Sequence, residues 1–256
     1  MAYSSALHRQ QADFQFTISA RSKPPDVPIF RFLRRHFGSI PLACIGSVFG
    51  FVEHSTLYGG RKFSSRELSE RDVAQLTNAG IGIRIPLSNH YASREEYELS
   101  RPLLEKYHHA PNSVIVTNDD LANWIRADFP DYRIDASVIK NISNAKKLDK
   151  ALELYDEVVL PMTANEDFAF LESIGPKHRV TLFANAGCAF TCPARICYVS
   201  ISKANKGGPA QQLVCSQSTK EREQFGMIDF ELQPFLDLGF RSFKLLRPAP
   251  GMMTGF

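Results

Sequence analysis

Several familiar signatures are missing from this sequence. Thirty Lys and Arg against 27 Asp and Glu leave a net charge of +3, too small to argue for a nucleic-acid partner by itself. No apolar run approaches the length of a membrane span. The first residues, polar with His8, Arg9, Gln10 and Gln11, lack the apolar core of a secretory signal. A cytoplasmic, reducing setting is therefore expected, where disulfides are rare. No G-x-G-x-x-G follows the first strand, which argues against a dinucleotide-binding turn. No G-x-S-x-G is present, so the nucleophile elbow of a serine hydrolase is excluded. No C-x-x-C knuckle, the usual mark of a structural zinc site, occurs either.

Cysteine is scarce but concentrated. Of five cysteines, Cys188, Cys192, Cys197 and Cys215 fall in one window, and Cys44 stands apart in an apolar run. The gaps are C-x3-C, C-x4-C and then a long interval. Thiolates are soft ligands, and four of them can hold an iron–sulfur cluster or a zinc ion; structural zinc would make the protein an accessory or binding subunit without turnover. Wide, uneven gaps suit a cluster with several irons at least as well as one tetrahedral ion. Free buried thiols explain Cys44 well, since cysteine is among the most buried residue types. They explain poorly four cysteines beside Asn185, Gly187, Pro193 and Arg195. A cysteine-protease reading needs one thiol beside a histidine, and the window contains no histidine.

Along the chain, strand and helix patterns alternate. Residues 1–28 read as a leader with one short strand-like run at 14–19, closed by Lys23-Pro-Pro-Asp-Val-Pro, which forbids regular structure. Arg31, Arg34, Arg35 and His36, mixed with Phe30, Phe32, Leu33 and Phe37, suggest an amphipathic surface helix, or more sharply a phosphate or RNA contact. The apolar run 40–50 fits a strand buried on both faces. Further strands are expected at 81–87, 113–117, 132–138, 157–161, 179–184 and 241–247. Helices are expected at 65–78, 93–108, 121–129, 143–155, 166–174 and 233–239. Such alternation implies parallel pairing with right-handed crossovers. Seven or eight units in 256 residues is the economy of an α/β fold of the (β/α)8 TIM-like barrel type, with an open doubly wound sheet as the fallback. The expected division is a leader at 1–28, a barrel at 29–247 with a cysteine-rich loop at 185–216, and a tail at 248–256.

In such barrels chemistry sits at the C-terminal strand ends. The cysteine window opens directly after the strand at 179–184, so its thiols belong on that face. Other strand ends bring His90, Asn118 and Arg247 as substrate-contact candidates, with Asn118 read first as a helix cap. Asp135 and Lys244 stand in mid-strand among apolar neighbours. A charge there needs a partner, and an ion pair between them across the barrel is expected. Arg195, inside the window, would balance thiolate charge or bind an acidic group. Arg195, Lys244 and Asp135 are thus the catalytic candidates, and Arg195, Lys244 and Arg247 the candidates for holding an acidic substrate.

Asn185-Ala-Gly-Cys-Ala-Phe-Thr-Cys-Pro-Ala-Arg resembles the N-x-x-C-x-x-x-C-P-x-R segment of the collagenase-like peptidase U32 family and its iron–sulfur relatives. Leu238-Gly-Phe-Arg-Ser-Phe-Lys-Leu-Leu-Arg is similar to that family's G-(I/V)-x-x-F-K-(I/L)-x-G-R strand, with Leu246 in place of glycine. Cys197 stands where the family commonly has histidine before the aromatic Tyr198. The resemblance spans residues 40–247. It implies a TIM-like barrel whose four cysteines hold a 4Fe–4S cluster. It further implies oxygen-independent hydroxylation of a small molecule or an RNA base, with peptidase activity as the family label and a homologous partner subunit as a further expectation.

Overall fold

The computed structural model describes residues 13–192, 194–207, 213–218, 220–221 and 227–246. Eight parallel strands close into a barrel: β1 (Gln15–Ser19), β2 (Ile45–Phe49), β3 (Gly82–Ile85), β4 (Ser113–Val116), β5 (Arg133–Ala136), β6 (Glu157–Val159), β7 (Val180–Phe183) and, after two short strands, β10 (Ser242–Leu245). The short strands, β8 (Asn185–Ala186) and β9 (Ile228–Asp229), pair antiparallel outside the barrel. The helices are α1 (Ile29–Phe37), α2 (Glu70–Asn78), α3 (Arg94–Tyr107), α4 (Asp119–Asp128), α5 (Ala145–Leu152), α6 (Phe168–Ser173), α7 (Ile196–Ala204) and α8 (Gln233–Asp237). The expected (β/α)8 architecture is therefore present.

The expected domain boundary needs correction. The run at 14–19 is no part of a loose leader: β1 is a barrel stave, hydrogen-bonded between β10 and β2. Without it the barrel would have two open edges, which a closed sheet avoids. The apolar run at 40–50 also divides, into a 3₁₀ turn at Leu42–Cys44 and then β2. Cys44 sits in that turn, packed against the main core and far from the cysteine window.

Local signals explain the helix starts. Ser69 with Asp72, and Ser93 with Glu96, form reciprocal capping boxes, each satisfying two N–H groups that a helix start leaves unpaired. Asn118, Asn144 and Asp167 cap α4, α5 and α6. Inside the helix ring, β3, β4, β6 and β7 are buried along their whole length, as parallel strands covered on both faces must be.

Register decides which side chains meet inside the barrel. Lys244 lies beside Thr17, Thr17 beside Ser47, and Ser47 beside Gly82. Four upward steps of two residues then close the ring: Arg84 beside Ser113 and on to Arg133, Asp135 beside Glu157, Val159 beside Thr181, and Phe183 beside Lys244. This is the shear of eight that a (β/α)8 barrel requires, with interior layers of four drawn from alternate strands. The layers, read upward, are Ser47, Ser113, Glu157 and Ser242; then Thr17, Arg84, Asp135 and Thr181; then Phe49, Ile115, Val159 and Lys244; then Ser19, Pro86, Ser137 and Phe183.

The two lower layers are polar, and their charged groups are paired. Arg84 reaches Asp135 at 3.2 Å and Glu157 at 2.9 Å. Arg133 reaches Asp135 at 3.2 Å and also pairs with Glu157. Ser113 Oγ donates to Asp135 at 2.8 Å, Thr181 donates to Glu157, and Thr17 and Ser47 share a hydrogen bond of 2.9 Å. Burial opposes charge on all these groups. For Glu157 the two arginines outweigh it and hold the carboxyl below its ordinary value. For Asp135 burial prevails, despite Arg84, and the neighbouring Glu157 charge raises it further.

Candidate functional site

The upper two layers form the floor of a cavity of ≈ 140 Å³. Ser19, Phe49, Pro86, Ile115, Ser137, Phe183 and Lys244 line it from below. Over it lies the chain that leaves β7. The side chain of Asn185 ties that exit to the end of β10, with its Nδ2 donating to Leu246 O (3.1 Å) and its Oδ1 accepting from Leu246 N (2.8 Å). The N–H of Phe190 then bonds Gly187 O, and that of Cys192 bonds Cys188 O at 3.1 Å. This helical turn sets Cys188 and Cys192 one above the other.

Arg195 follows in the left-handed region, with φ 48° and ψ 26°, and starts α7. Its N–H donates to Cys192 Sγ at 3.4 Å, and its guanidinium to Asn141. Asn141, after β5, is itself left-handed at φ 52°. Cys197 occupies the second position of α7. The segment carrying Cys215 returns to the same place: Val214 N donates to Ser200 Oγ at 2.9 Å, and Ser216 Oγ lies 3.2 Å from Cys192 Sγ. All four thiols of the window line the one cavity.

The thiols feel one another. Burial, followed by the charges of Cys188, Cys215 and Cys192, pushes the Cys197 thiol up to about 11. At Cys192 burial acts the same way but is outweighed by the Ser216 hydroxyl and the backbone N–H groups of Arg195 and Ala194, which lower it. Among the described residues, no three of His, Cys, Asp or Glu stand at metal-ligand spacing. The sulfurs share a cavity wall without closing on a point.

Polar clamps bind this lid to the barrel. Asn205, just after α7, donates from Nδ2 to Tyr58 O and to Arg61 O, both at 2.9 Å, and accepts from Phe63 N at 2.8 Å. Asn89 donates to Ser202 O at 2.9 Å and to Tyr58 O at 3.1 Å. The loop between β2 and α2 approaches so closely that a Cβ on Gly59 would stand 2.1 Å from Ser88 O, which only glycine tolerates.

The other sequence candidates separate. Lys244 projects into the cavity with its Nζ 4.4 Å from the centre of the Phe49 ring and 5.8 Å from that of Phe183. The expected ion pair with Asp135 is absent among the described residues, because Asp135 lies one layer lower and is paired with Arg84 and Arg133. Burial first, then Arg84 and Arg61, bring the Lys244 amine down to about 7; Asp135 and Glu157 oppose that weakly. Arg195 lines the cavity; Asp135, His90 and Asn118 do not. Asn118 caps α4 through Leu121 N and donates to His90 O. His90 Nδ1 lies 3.0 Å from Ser202 Oγ and helps hold α7. Arg247 lies outside the described residues. Sequence reasoning missed Phe49 and Phe183, which cage the amine, and Asn205, which anchors the lid.

Comparison with known proteins adds a fold. The chain superposes on a solved protein described as the U32 peptidase Mk0906, with a TM-score of 0.61, covering 94% of each chain at 14% identity. The barrel therefore shares its fold with that protein. At this identity the likeness extends to the fold alone. No protein-family model matches the sequence, and no curated protein matches it. No described helix is long and apolar enough to cross a membrane.

Proposed function

We propose that this chain is an iron–sulfur enzyme of a redox or oxygen-independent hydroxylation type, working in a reducing, cytoplasmic setting on a small molecule or a base of RNA. The observation that carries this reading is the lining of one cavity, at the C-terminal mouth of the barrel, by Cys188, Cys192, Cys197 and Cys215. The donor set fits by type: four soft sulfurs lining one cavity, with uneven gaps in the chain, suit a 4Fe–4S cluster at least as well as a single zinc. The cluster would supply electron transfer. The protein would supply orientation and electrostatics. The Arg195 N–H would support Cys192 as a thiolate, the cage of Phe49 and Phe183 would keep water from the reacting centre, and Lys244 would move or hold a proton at Nζ.

The structural neighbour's description speaks of a peptidase. A cysteine peptidase pairs its thiol with a histidine, and the described residues lining this cavity include neither a histidine nor a carboxylate. That reading therefore has less support here. A homologous second subunit would be compatible with the same site.

The test is iron and acid-labile sulfide analysis, with a visible spectrum, on protein purified without oxygen. The expected result is about four irons per chain and a broad absorption near about 400 nm, lost in Cys188→Ser and kept in Cys44→Ser. A colourless protein that holds one zinc, or nothing, would sink the proposal.

A further inference from the structure

The floor of the cavity contains a cation that nothing among the described residues answers. Lys244 is 8% exposed and lines the cavity. Among the described residues its Nζ has ring faces beside it but no carboxylate and no hydrogen-bond acceptor. A buried ammonium without an anion is costly. Elsewhere in the barrel that cost is avoided: Lys23, also buried, meets Asp72 at 2.9 Å, and Arg84 meets two carboxylates. The remaining cations at the cavity are already occupied. Arg61 pairs with Glu67, Arg195 bonds Asn141, and Arg21 has a partner of its own.

We infer that the cavity floor is a binding site for a small organic carboxylate, its charge set against Lys244 Nζ and its apolar body against Phe49, Phe183, Ile115 and Met162. Size narrows the class. An apolar cavity of ~150 Å³ accepts a molecule such as benzene, so ≈ 140 Å³, part of it along the thiols, sets about one ring as the upper limit of the body. An organic carboxylate fits better than an inorganic anion, because Phe49, Phe183, Ile115 and Met162 make most of the floor apolar. Lys244 comes from within a strand, and the cysteines come from chain beyond the end of β7, so the ligand sits below the thiols. This inference deepens the redox reading by naming the class of substrate, and depends on that reading only for calling the ligand a substrate.

The groups facing Lys244 predict a signature. Arg84 on β3 and Arg61 after β2 disfavour its charge, and Asp135 on β5 and Glu157 on β6 favour it. An arriving carboxylate would tip this balance and draw a proton onto Nζ. The probe is benzoate, with benzyl alcohol as the uncharged control. Binding is measured by titration calorimetry at about pH 8, above the value for the buried amine, in two buffers of different ionisation enthalpy. Benzoate is expected to bind with uptake of close to one proton, and Lys244→Met to weaken it by at least about tenfold and abolish the uptake. Circular dichroism checks that the variant is folded, with Lys244→Gln as the second replacement. The proton uptake by the unaltered protein stands without either.

Equal binding of benzyl alcohol, unchanged binding in a folded Lys244 variant, uptake of no proton, or no benzoate binding at millimolar concentration would each overturn the inference. Iron content is measured on the same samples. Benzoate binding without iron leaves the carboxylate site standing and removes the cluster; iron without benzoate binding does the reverse.

Discussion

Two neighbouring levels of the same barrel treat charge in opposite ways. In the layers of Glu157 and of Arg84 with Asp135, every charged group faces an opposite one within 3.2 Å or closer. One layer higher, Lys244 has aromatic faces beside it and, among the described residues, no carboxylate. The lower layers resemble a closed structural plug: two arginines and two carboxylates that neutralise one another where no ligand reaches. The upper layer leaves a charge open to whatever enters from the mouth. Both positions cost desolvation, but only in the lower one do the chain's own ion pairs offset it, fully at Glu157 and in part at Asp135.

Removing one member from each level sharpens that contrast most. Arg84→Met takes the central cation from Asp135 and Glu157 and leaves buried carboxylates underpaired. It is expected to destabilise the fold by about 3–5 kcal/mol, measured as a fall in the urea midpoint. The same replacement at Lys244 is expected to cost nothing or to stabilise. If Lys244→Met proved as damaging as Arg84→Met, the amine would be part of the plug and the distinction would collapse.

The second prediction uses pH. An amine whose folded value, about 7, lies below its unfolded value of roughly 10.4 penalises the native state most when both states are protonated. Below about 7 the penalty is full. Between there and about 10 the unfolded chain binds a proton that the folded chain does not, so stability rises with pH, by at most ~1.4 kcal/mol per unit. Lys244→Met should lose this rise while all other titrations remain. Parallel slopes for the two proteins, from denaturation at about pH 7 and about pH 9, would show that Lys244 is not desolvated as described.

How far the sequence could be read follows from the same contrast. Alternating buried strands and capped helices made the barrel legible, because those signals are local: the Ser93–Glu96 box and the apolar run of β4 need no distant partner. The cysteine window was legible by residue type and by its position after β7. What could not be read was register. Asp135 and Lys244 both looked like mid-strand charges in need of a partner, and pairing them was reasonable. Only the accumulated shear shows that they occupy different layers, with Arg84 and Arg133 arriving at one and Phe49 and Phe183 at the other. β1 was misassigned for a related reason. Its alternation was visible, but its place between β10 and β2 depends on ring closure, which no five-residue window reveals. α7 was missed because Cys197, Ser200 and Ser202 interrupt its apolar residues and leave no clear apolar face. Its position is fixed instead by Asn89 and Asn205.

The last prediction concerns how the lid over the upper layer is held. Asn205 makes three hydrogen bonds to the backbone of the loop between β2 and α2, and the side chain is buried. Asn205→Ala leaves the carbonyls of Tyr58 and Arg61 and the N–H of Phe63 without it, at a cost of about 1–3 kcal/mol. Because α7 lies outside the ring of staves, that loss should be felt by the lid and hardly by the barrel. The expected result is faster amide hydrogen exchange across Ile196–Ala204, with exchange in β3 to β6 unchanged. Exchange that quickens equally in the strands would mean that lid and plug open as one unit, and the upper layer would then share the rigidity of the lower.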